Sequence, residues 1–218
     1  LWAISSAGEV PHMATVREYF DFARRMESLP DTPRWRKALA WQNALWAARE
    51  AYWSGRVRFD LESWGQAAEA PLRMAAHLDA LGFVESAARA LRDLIREFPG
   101  AEPYVGLARV RLVALRRRAA VQGEFEEVLE EARSLAQQYA ARAAGTGVGA
   151  ETASRVAALA RLELGRTLQA MGRYPEALET LKAVGADYGE QTDACAQALL
   201  ATAEVFAAFQ QPLEGDRP

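Results

Sequence analysis

Cysteine and histidine are scarce in this chain, and their scarcity limits the chemistry that it can perform. Cys195 is the one cysteine among 218 residues, which excludes a disulfide within the chain, and His12 and His77 are the two histidines. The sequence contains neither an HExxH motif nor a cysteine cluster, so nothing in it indicates zinc binding. Cys195 lies in the helical apolar pattern DACAQALLATAEVF, away from any electropositive setting, and we interpret it as a buried, unreactive thiol. We expect neither a metal nor a cofactor.

Catalytic motifs are lacking as well. The stretch GTGVGAET at 145–152 is similar to a phosphate-binding loop, but it has no lysine and it follows a helical pattern instead of a strand. We interpret it as a flexible connection. No serine, histidine and acidic residue group together in the manner of a nucleophilic site. An enzyme or a small-molecule binder is therefore a hypothesis that no residue favours.

Lysine is rare, and nearly all the positive charge is arginine. Lys37 and Lys182 are the only lysines, and the formal net charge is −3, so there is no electrostatic reason to expect a nucleic-acid partner. The run Arg116 to Arg118 ends one predicted helix and Glu124 begins the next, an order that suits the helix dipole and indicates local stabilisation. Abundant arginine has two interpretations, which are recognition of carboxylates and the base composition of the genome.

Long hydrophobic runs are missing too. No apolar run approaches the roughly 18–20 residues that cross a bilayer, so we expect no transmembrane segment. The chain begins with Leu1 and not with methionine, which favours a processed or trimmed product. The compartment stays open between the cytoplasm and the bacterial periplasm or cell envelope, and the oligomeric state is not indicated.

Strand patterns are almost absent, whereas helical periodicity extends through nearly the whole chain and is interrupted at glycine and proline. Two helices are predicted before residue 55, in VREYFDFARRM and in RWRKALAWQNALWAAREAYW, followed by an irregular connection in GRVRFDLESWG. Further helices are predicted at about 66–81, 84–98, 103–121, 124–143, 151–171, 174–188 and 191–209. The sequence therefore predicts an all-α protein of about nine helices with short connections.

Three segments share one spacing around a glycine that separates two helices. After Gly82, Gly123 and Gly172, a large apolar residue follows two positions later, a smaller one at five, and apolar residues at nine and twelve. Glycine suits the left-handed turn that ends the first helix, and the later positions share one face of the second helix. The pattern indicates a repeated helical hairpin.

These segments resemble the tetratricopeptide repeat family. In LGRTLQAMGRYPEALETLKAV, Leu164 and Gly165 are similar to the family's apolar–small pair, and its packing positions are similar to Leu168, Tyr174, Ala177 and Leu181. The resemblance implies a right-handed superhelical array of antiparallel helix pairs, an α-solenoid. The turn glycines are 41 and 49 residues apart instead of 34, so the array is degenerate. We predict an N-terminal helical segment at 1–65, repeats at 66–209 and a flexible tail at 210–218.

The resemblance also implies a concave surface, lined by the first helix of each pair, that binds a partner polypeptide. Its exposed positions would be Leu72, Ala76, Asp79, Val113, Arg117, Leu162, Arg166 and Gln169. Arg117 and Arg166 could clamp a carboxylate of a bound peptide, and the alternative is that they are simply solvated arginines. The function that we predict is a non-enzymatic protein-binding adaptor or scaffold.

Tryptophan is confined to one end of the chain, at positions 2, 35, 41, 46, 53 and 64. In the second helix, Trp41 shares an apolar stripe with Leu45, Ala48 and Tyr52, while Trp46 and Trp53 share another with Leu39. Two stripes indicate a helix covered on two sides, either by the rest of the chain or, at Trp46 and Trp53, by a partner. The alternative function is therefore a structural subunit that docks into a larger assembly through this part. The segment LIREFPGAEPYVGLARVRLVAL, which is similar to repeats of bacterial envelope assembly proteins, suggests a cell-envelope complex.

Overall fold

The computed structural model describes residues 15–53, 61–121, 123–145 and 149–210, without the side chains of 53, 61–66, 209 and 210. The predictions for His12, for the side chain of Trp53, for the centre of the GTGVG connection and for the tail after residue 210 lie outside this part.

Across these ranges the chain forms α-helices and no strand, so the all-α prediction is confirmed. The helices are α1 (Val16–Ser28), α2 (Arg34–Trp53), α3 (Leu61–Ala80), α4 (Val84–Glu97), α5 (Tyr104–Ala119), α6 (Phe125–Ala143), α7 (Ala150–Ala170), α8 (Tyr174–Asp187) and α9 (Thr192–Gln210). From α4 onward, each predicted boundary agrees with the observed one to within two residues.

The start of α3 differs from the prediction. The helix begins at Leu61, within the stretch that we predicted as an irregular connection, and it continues through Gly65 and Pro71. A glycine inside a helix costs only about 1 kcal/mol relative to alanine, so Gly65 weakens the helix without ending it. The predicted domain boundary at residue 65 consequently falls inside a continuous helix.

The turns after α3 and α7 are built in the same way. Gly82 has φ of 85° and Gly172 has φ of 75°, as predicted for the residues that end these helices. The N–H groups of Phe83 and Arg173, one position later, each donate to a carbonyl five residues back, at 2.9 Å. This is the Schellman arrangement, which satisfies the last carbonyls of a helix and needs a left-handed residue. Gly123, in the third predicted turn, also has a positive φ, of 137°.

The chain divides into two compact units, residues 1–93 and 94–218, with the boundary inside α4. In the first unit, α1 packs on α2 and α2 packs on α3. Its core contains Phe20 and Trp41, whose rings meet edge to face with centroids 6.1 Å apart. That Trp41 is buried confirms the first predicted stripe at this position.

In the second unit each helix from α5 to α9 packs on its neighbour in sequence, and α7 also contacts both α5 and α9. Contacts between alternate helices place α5, α7 and α9 side by side, with α6 and α8 packed on them. This layering is what stacked helical hairpins produce. The core of the unit is continuous and alanine-rich, and it includes Val113, Leu129, Val156, Leu181 and Val184.

At Gly165 the helix α7 packs closely against α8. A Cβ atom at this position would lie 2.7 Å from both Cγ and Cδ2 of Leu181, which no real contact tolerates. Of the predicted packing positions of this hairpin, Leu168, Ala177 and Leu181 are at most 3% exposed, whereas Tyr174 is half-buried. The small residue of the apolar–small pair is therefore required by the packing of α8 on α7.

Candidate functional site

Two of the predicted site residues come together on a buried carboxylate. Arg117, in the last turn of α5, donates from Nε to Oε2 of Glu163 at 3.0 Å. Arg166, on α7, donates from a terminal guanidinium nitrogen to Oε1 of the same carboxylate at 3.1 Å. The side chain of Glu163 is only 7% exposed. We call these three residues the arginine–glutamate cluster.

The helices place this cluster in a simple way. Glu163 and Arg166 are three residues apart on α7 and so lie on neighbouring positions of one helix face. Arg117 reaches them from the C-terminal end of α5, where a cation is favoured by the helix dipole. Burial of a carboxylate is costly unless its oxygens are paired, and both oxygens of Glu163 have an arginine partner.

The cluster carries one positive charge in excess, since two guanidinium groups share one carboxylate. The side chains of Arg117 and Arg166 are 19% and 24% exposed, so each is held by the protein and still reaches solvent. A guanidinium has five N–H donors, and Glu163 uses only part of this capacity. Arg155 and Leu159 lie on the same face of α7 as Arg166, the first exposed and the second half-buried.

The other predicted concave positions differ in exposure. Leu72, Val113 and Leu162 are 5%, 1% and 1% exposed, so the prediction that they are exposed is wrong. The physical reason in the second unit is that α5 and α7 contact each other and further helices as well, and Val113 and Leu162 belong to the common core. The remaining three positions, Ala76, Asp79 and Gln169, are half-buried.

The tryptophans of α2 lie on different faces. Trp41 is 1% exposed, and Leu45 and Ala48 of its stripe are buried too, whereas Tyr52 is 44% exposed and was wrongly included. Trp46 is 62% exposed, and Trp35, which lies on the same face eleven residues earlier, is 40% exposed. Among the described side chains, the second stripe therefore faces solvent at Trp46.

A hydrogen-bonded carboxylate, which the sequence did not reveal, joins α1, α2 and α3 in the first unit. Glu27 Oε2 lies 2.7 Å from His77 Nε2 and accepts a bond from Trp41 Nε1 at 3.2 Å. Lys37 Nζ donates to the backbone carbonyl of Glu27 at 2.9 Å. Burial by itself would raise the pKa of Glu27, but the hydrogen bonds from His77 and Trp41 outweigh it, so the pKa lies below its ordinary value.

A cleft of about 530 Å³ in the second unit has a comparable network at its wall. The Tyr139 hydroxyl donates to Glu102 at 2.8 Å, and Arg142 donates to the same carboxylate at 3.1 Å. Burial, together with the neighbouring Glu102 carboxylate, raises the pKa of Tyr139 to about 12. The phenol is thus held neutral as a donor, and Glu102 also accepts from the backbone N–H of Gly106 at 3.3 Å. These bonds tie the start of α5 to α6.

Cys195 is half-buried instead of fully buried, and its thiol lies 3.2 Å from the backbone oxygen of Tyr188. In the described ranges, no group of three or more histidine, cysteine, aspartate or glutamate side chains is placed to hold a metal ion. Nor does the described part of the chain contain a helix of the length and apolar character that spanning a membrane requires.

Comparison with protein-family models, with curated protein sequences and with solved structures gave no match. The resemblance to tetratricopeptide repeats therefore depends on the residues of the hairpins themselves.

Proposed function

We propose that this chain is a non-enzymatic adaptor that binds a partner polypeptide on the face formed by α5 and α7. The observation that carries this proposal is the arginine–glutamate cluster, in which two guanidinium groups from different helices are held side by side with an excess positive charge. The favoured ligand is a carboxylate of the partner, because guanidinium groups bind carboxylates through paired, charge-assisted hydrogen bonds.

The Glu163 carboxylate supports this proposal, because it holds the side chains of Arg117 and Arg166 in place before a ligand binds. A free arginine loses considerable side-chain entropy when it is fixed by a ligand, and that cost weakens binding. Glu163 already restrains Arg117 and Arg166, at 3.0 and 3.1 Å, so less freedom remains to be lost. The half-buried Leu159 and the exposed Arg155 extend the same face of α7 with apolar contact and further positive charge.

The repeated hairpins give independent support. The turns at Gly82 and Gly172 share one hydrogen-bond pattern, and α5 and α7, the first helices of two successive pairs, contact each other, with α9 packed on α7 as well. In a right-handed superhelical array of the tetratricopeptide type, these first helices would line the concave surface. Arg117 and Arg166 would bind acidic side chains of an extended peptide that lies on this surface.

A display selection tests the proposal without knowledge of the natural partner. Random peptides would be selected against the full chain, with the Arg166→Gln variant present in excess as a soluble competitor. We expect the surviving peptides to be rich in aspartate and glutamate, because peptides that do not need Arg166 are removed. Recovery of peptides without acidic enrichment, or of none above a bare matrix, would count against the proposal. Circular dichroism of the variant checks that the fold is retained.

A second candidate function is a structural subunit, in a cell-envelope or other assembly, that docks through α2. The observation that favours it is the 62% exposure of Trp46, since tryptophan is enriched at the centres of protein interfaces. If α2 docks, the tagged chain from its native cells should elute with a large complex, and Trp46→Ala should release it. Phe83→Ala, which removes an aromatic side chain that is 58% exposed in the same unit, is the matched control. Release by both variants, or by neither, would contradict this role.

A further inference from the structure

The cleft beside Tyr139 lies where α5 and α7 begin. Its lining includes the two residues before α5, residues of α6 and the first two turns of α7. The arginine–glutamate cluster lies further along the same two helices, because Arg117 is in the last turn of α5 and Glu163 is in the second half of α7. The two helices therefore run in the same direction, with the cleft at their start and the cluster toward their end.

One face of α7 connects the cleft with the cluster. Its members follow one another at alternating spacings of four and three residues, which keeps them on one side of a helix; they are Thr152, Val156, Leu159, Glu163 and Arg166. The first two line the cleft, and the last two belong to the cluster. Leu159, between them, is half-buried. The face that we propose for partner binding thus continues into the cleft.

The chemistry of the cleft suits a large apolar side chain. Its volume of about 530 Å³ is within the range of about 300–1,000 Å³ that is typical of ligand pockets, and its lining is mainly apolar, with Pro103 and Val156 among the contributors. The polar side chains at its wall are already bonded to one another, since Tyr139 and Arg142 both donate to Glu102. The guanidinium carbon of Arg142 lies 4.9 Å from the centroid of the Tyr139 ring, and a guanidinium held in this way can stack on a further aromatic ring. An aromatic side chain therefore fits the cleft better than a charged one.

We propose that the partner segment whose carboxylate binds the cluster also inserts a large apolar side chain, preferably an aromatic one, into the cleft. This inference rests on the proposed function, because it needs the carboxylate at Arg117 and Arg166. Val156 and Glu163 are seven residues apart on α7, which is about 10 Å along the helix axis. Thr152 and Arg166 are fourteen residues apart, or about 21 Å. An extended peptide covers about 3.3 Å per residue, so its apolar and acidic residues should be about three to six positions apart.

Fluorescence anisotropy with labelled synthetic peptides tests the proposal on the full chain. Each peptide contains one glutamate and one tryptophan in a flexible glycine–serine background, in either order and at separations from about one to about nine residues. We expect the lowest Kd at separations of about three to six residues. At the best separation, replacement of the peptide's tryptophan by alanine should raise the Kd about tenfold, as expected for a buried aromatic anchor.

Thr152→Trp places a large side chain in the cleft and should abolish the preference for a separation. The tryptophan and alanine peptides should then bind equally, while the dependence on glutamate remains. Ser154→Trp is the matched control, because it adds the same side chain at another half-buried position, on the opposite side of α7. It should bind the peptides like the wild type. Far-UV circular dichroism shows whether both variants fold, and the comparison of tryptophan and alanine peptides on the wild-type chain requires neither.

The outcomes separate this inference from the proposed function. Binding that needs glutamate and Arg166, but is equal at every separation and for tryptophan and alanine peptides, would overturn the inference alone. A preferred separation that Thr152→Trp leaves intact would also overturn it, because the apolar side chain would then bind elsewhere. Kd values that change neither on loss of the glutamate nor in Arg166→Gln would overturn the proposed function, and this inference with it.

Discussion

Replacement of Gly165 by alanine should destabilise the second unit, although alanine is the better helix former. A Cβ atom at this position meets Leu181 Cγ and Cδ2 at 2.7 Å. Leu181 is 1% exposed and cannot swing into solvent. Alanine would gain about 1 kcal/mol of helix propensity, whereas the displacement of a packed core residue costs about 1–3 kcal/mol. We expect a net loss of up to about 2 kcal/mol in the free energy of unfolding.

Gly185→Ala is the matched control on the partner helix. Gly185 lies in α8, is exposed, and would have no atom within 4 Å of a new Cβ. This substitution should stabilise the unit by about 0.5–1 kcal/mol, which is the propensity gain alone. The difference between the two variants, about 1–3 kcal/mol, then measures the steric cost at the α7–α8 crossing.

Urea unfolding followed by two signals provides the assay. All six tryptophans precede residue 65, so tryptophan fluorescence reports the first unit, while far-UV circular dichroism reports both. Each kcal/mol moves a urea midpoint by about 0.3–1 M, given typical denaturant slopes. We expect the transition seen by circular dichroism to move to lower urea for Gly165→Ala and to higher urea for Gly185→Ala.

A double-mutant cycle with Leu181→Ala completes the test. With the Leu181 side chain truncated, the methyl group of alanine at 165 has room, so the two substitutions should couple by about 1–3 kcal/mol. If Gly165→Ala proves as stabilising as Gly185→Ala, or if the two substitutions are additive, the close approach of α7 and α8 is refuted.

Two further predictions concern pH. The lowered pKa of Glu27 means that the hydrogen bonds to its carboxylate stabilise the first unit above pH 4.5, and that this stability is lost as the pH falls through the lower folded value. Glu27→Gln should flatten the acid dependence of the fluorescence-detected urea midpoint, and an unchanged dependence would contradict the assignment. Because the pKa of Tyr139 rises from 10.0 to about 12, the unfolded chain releases this proton first, and the second unit should lose stability between those pH values. Tyr139→Phe should remove this loss of stability at alkaline pH, measured as the urea midpoint of the transition seen by circular dichroism. A loss that persists in the variant would point to another titrating group.

Helix boundaries could be predicted from the sequence because local chemistry determines them. Gly82 and Gly172 adopt positive φ values that other residues avoid, so each glycine marks the end of a helix wherever the rest of the chain lies. The prediction that the chain is irregular up to Gly65 is wrong, because a glycine in helical conformation is only mildly unfavourable and α3 continues through it.

The site was predicted only in part because exposure and pairing depend on neighbours. A helical pattern shows which residues share a face, but it does not show which faces other helices cover. Here α5 and α7 pack on each other and on further helices, and this packing buries Val113 and Leu162. Glu163 was missed because its partner Arg117 is 46 residues away in sequence. A glutamate inside the apolar pattern ALARLELG, three residues before Arg166, is the one signal that pointed to a buried charge.

Calorimetric titration of one selected acidic peptide tests the central claim most directly. The peptide would be titrated into the wild-type chain, into Arg166→Gln, and into Lys182→Gln, which removes one positive charge from an exposed position on α8. Charge-assisted hydrogen bonds are worth about 1.5–3 kcal/mol, so Arg166→Gln should raise the Kd by about tenfold or more. Lys182→Gln should leave the Kd within about twofold of the wild-type value, as expected for an exposed charge outside the cluster. Equal Kd values for the two variants would contradict the assignment of the α5–α7 face as the binding surface.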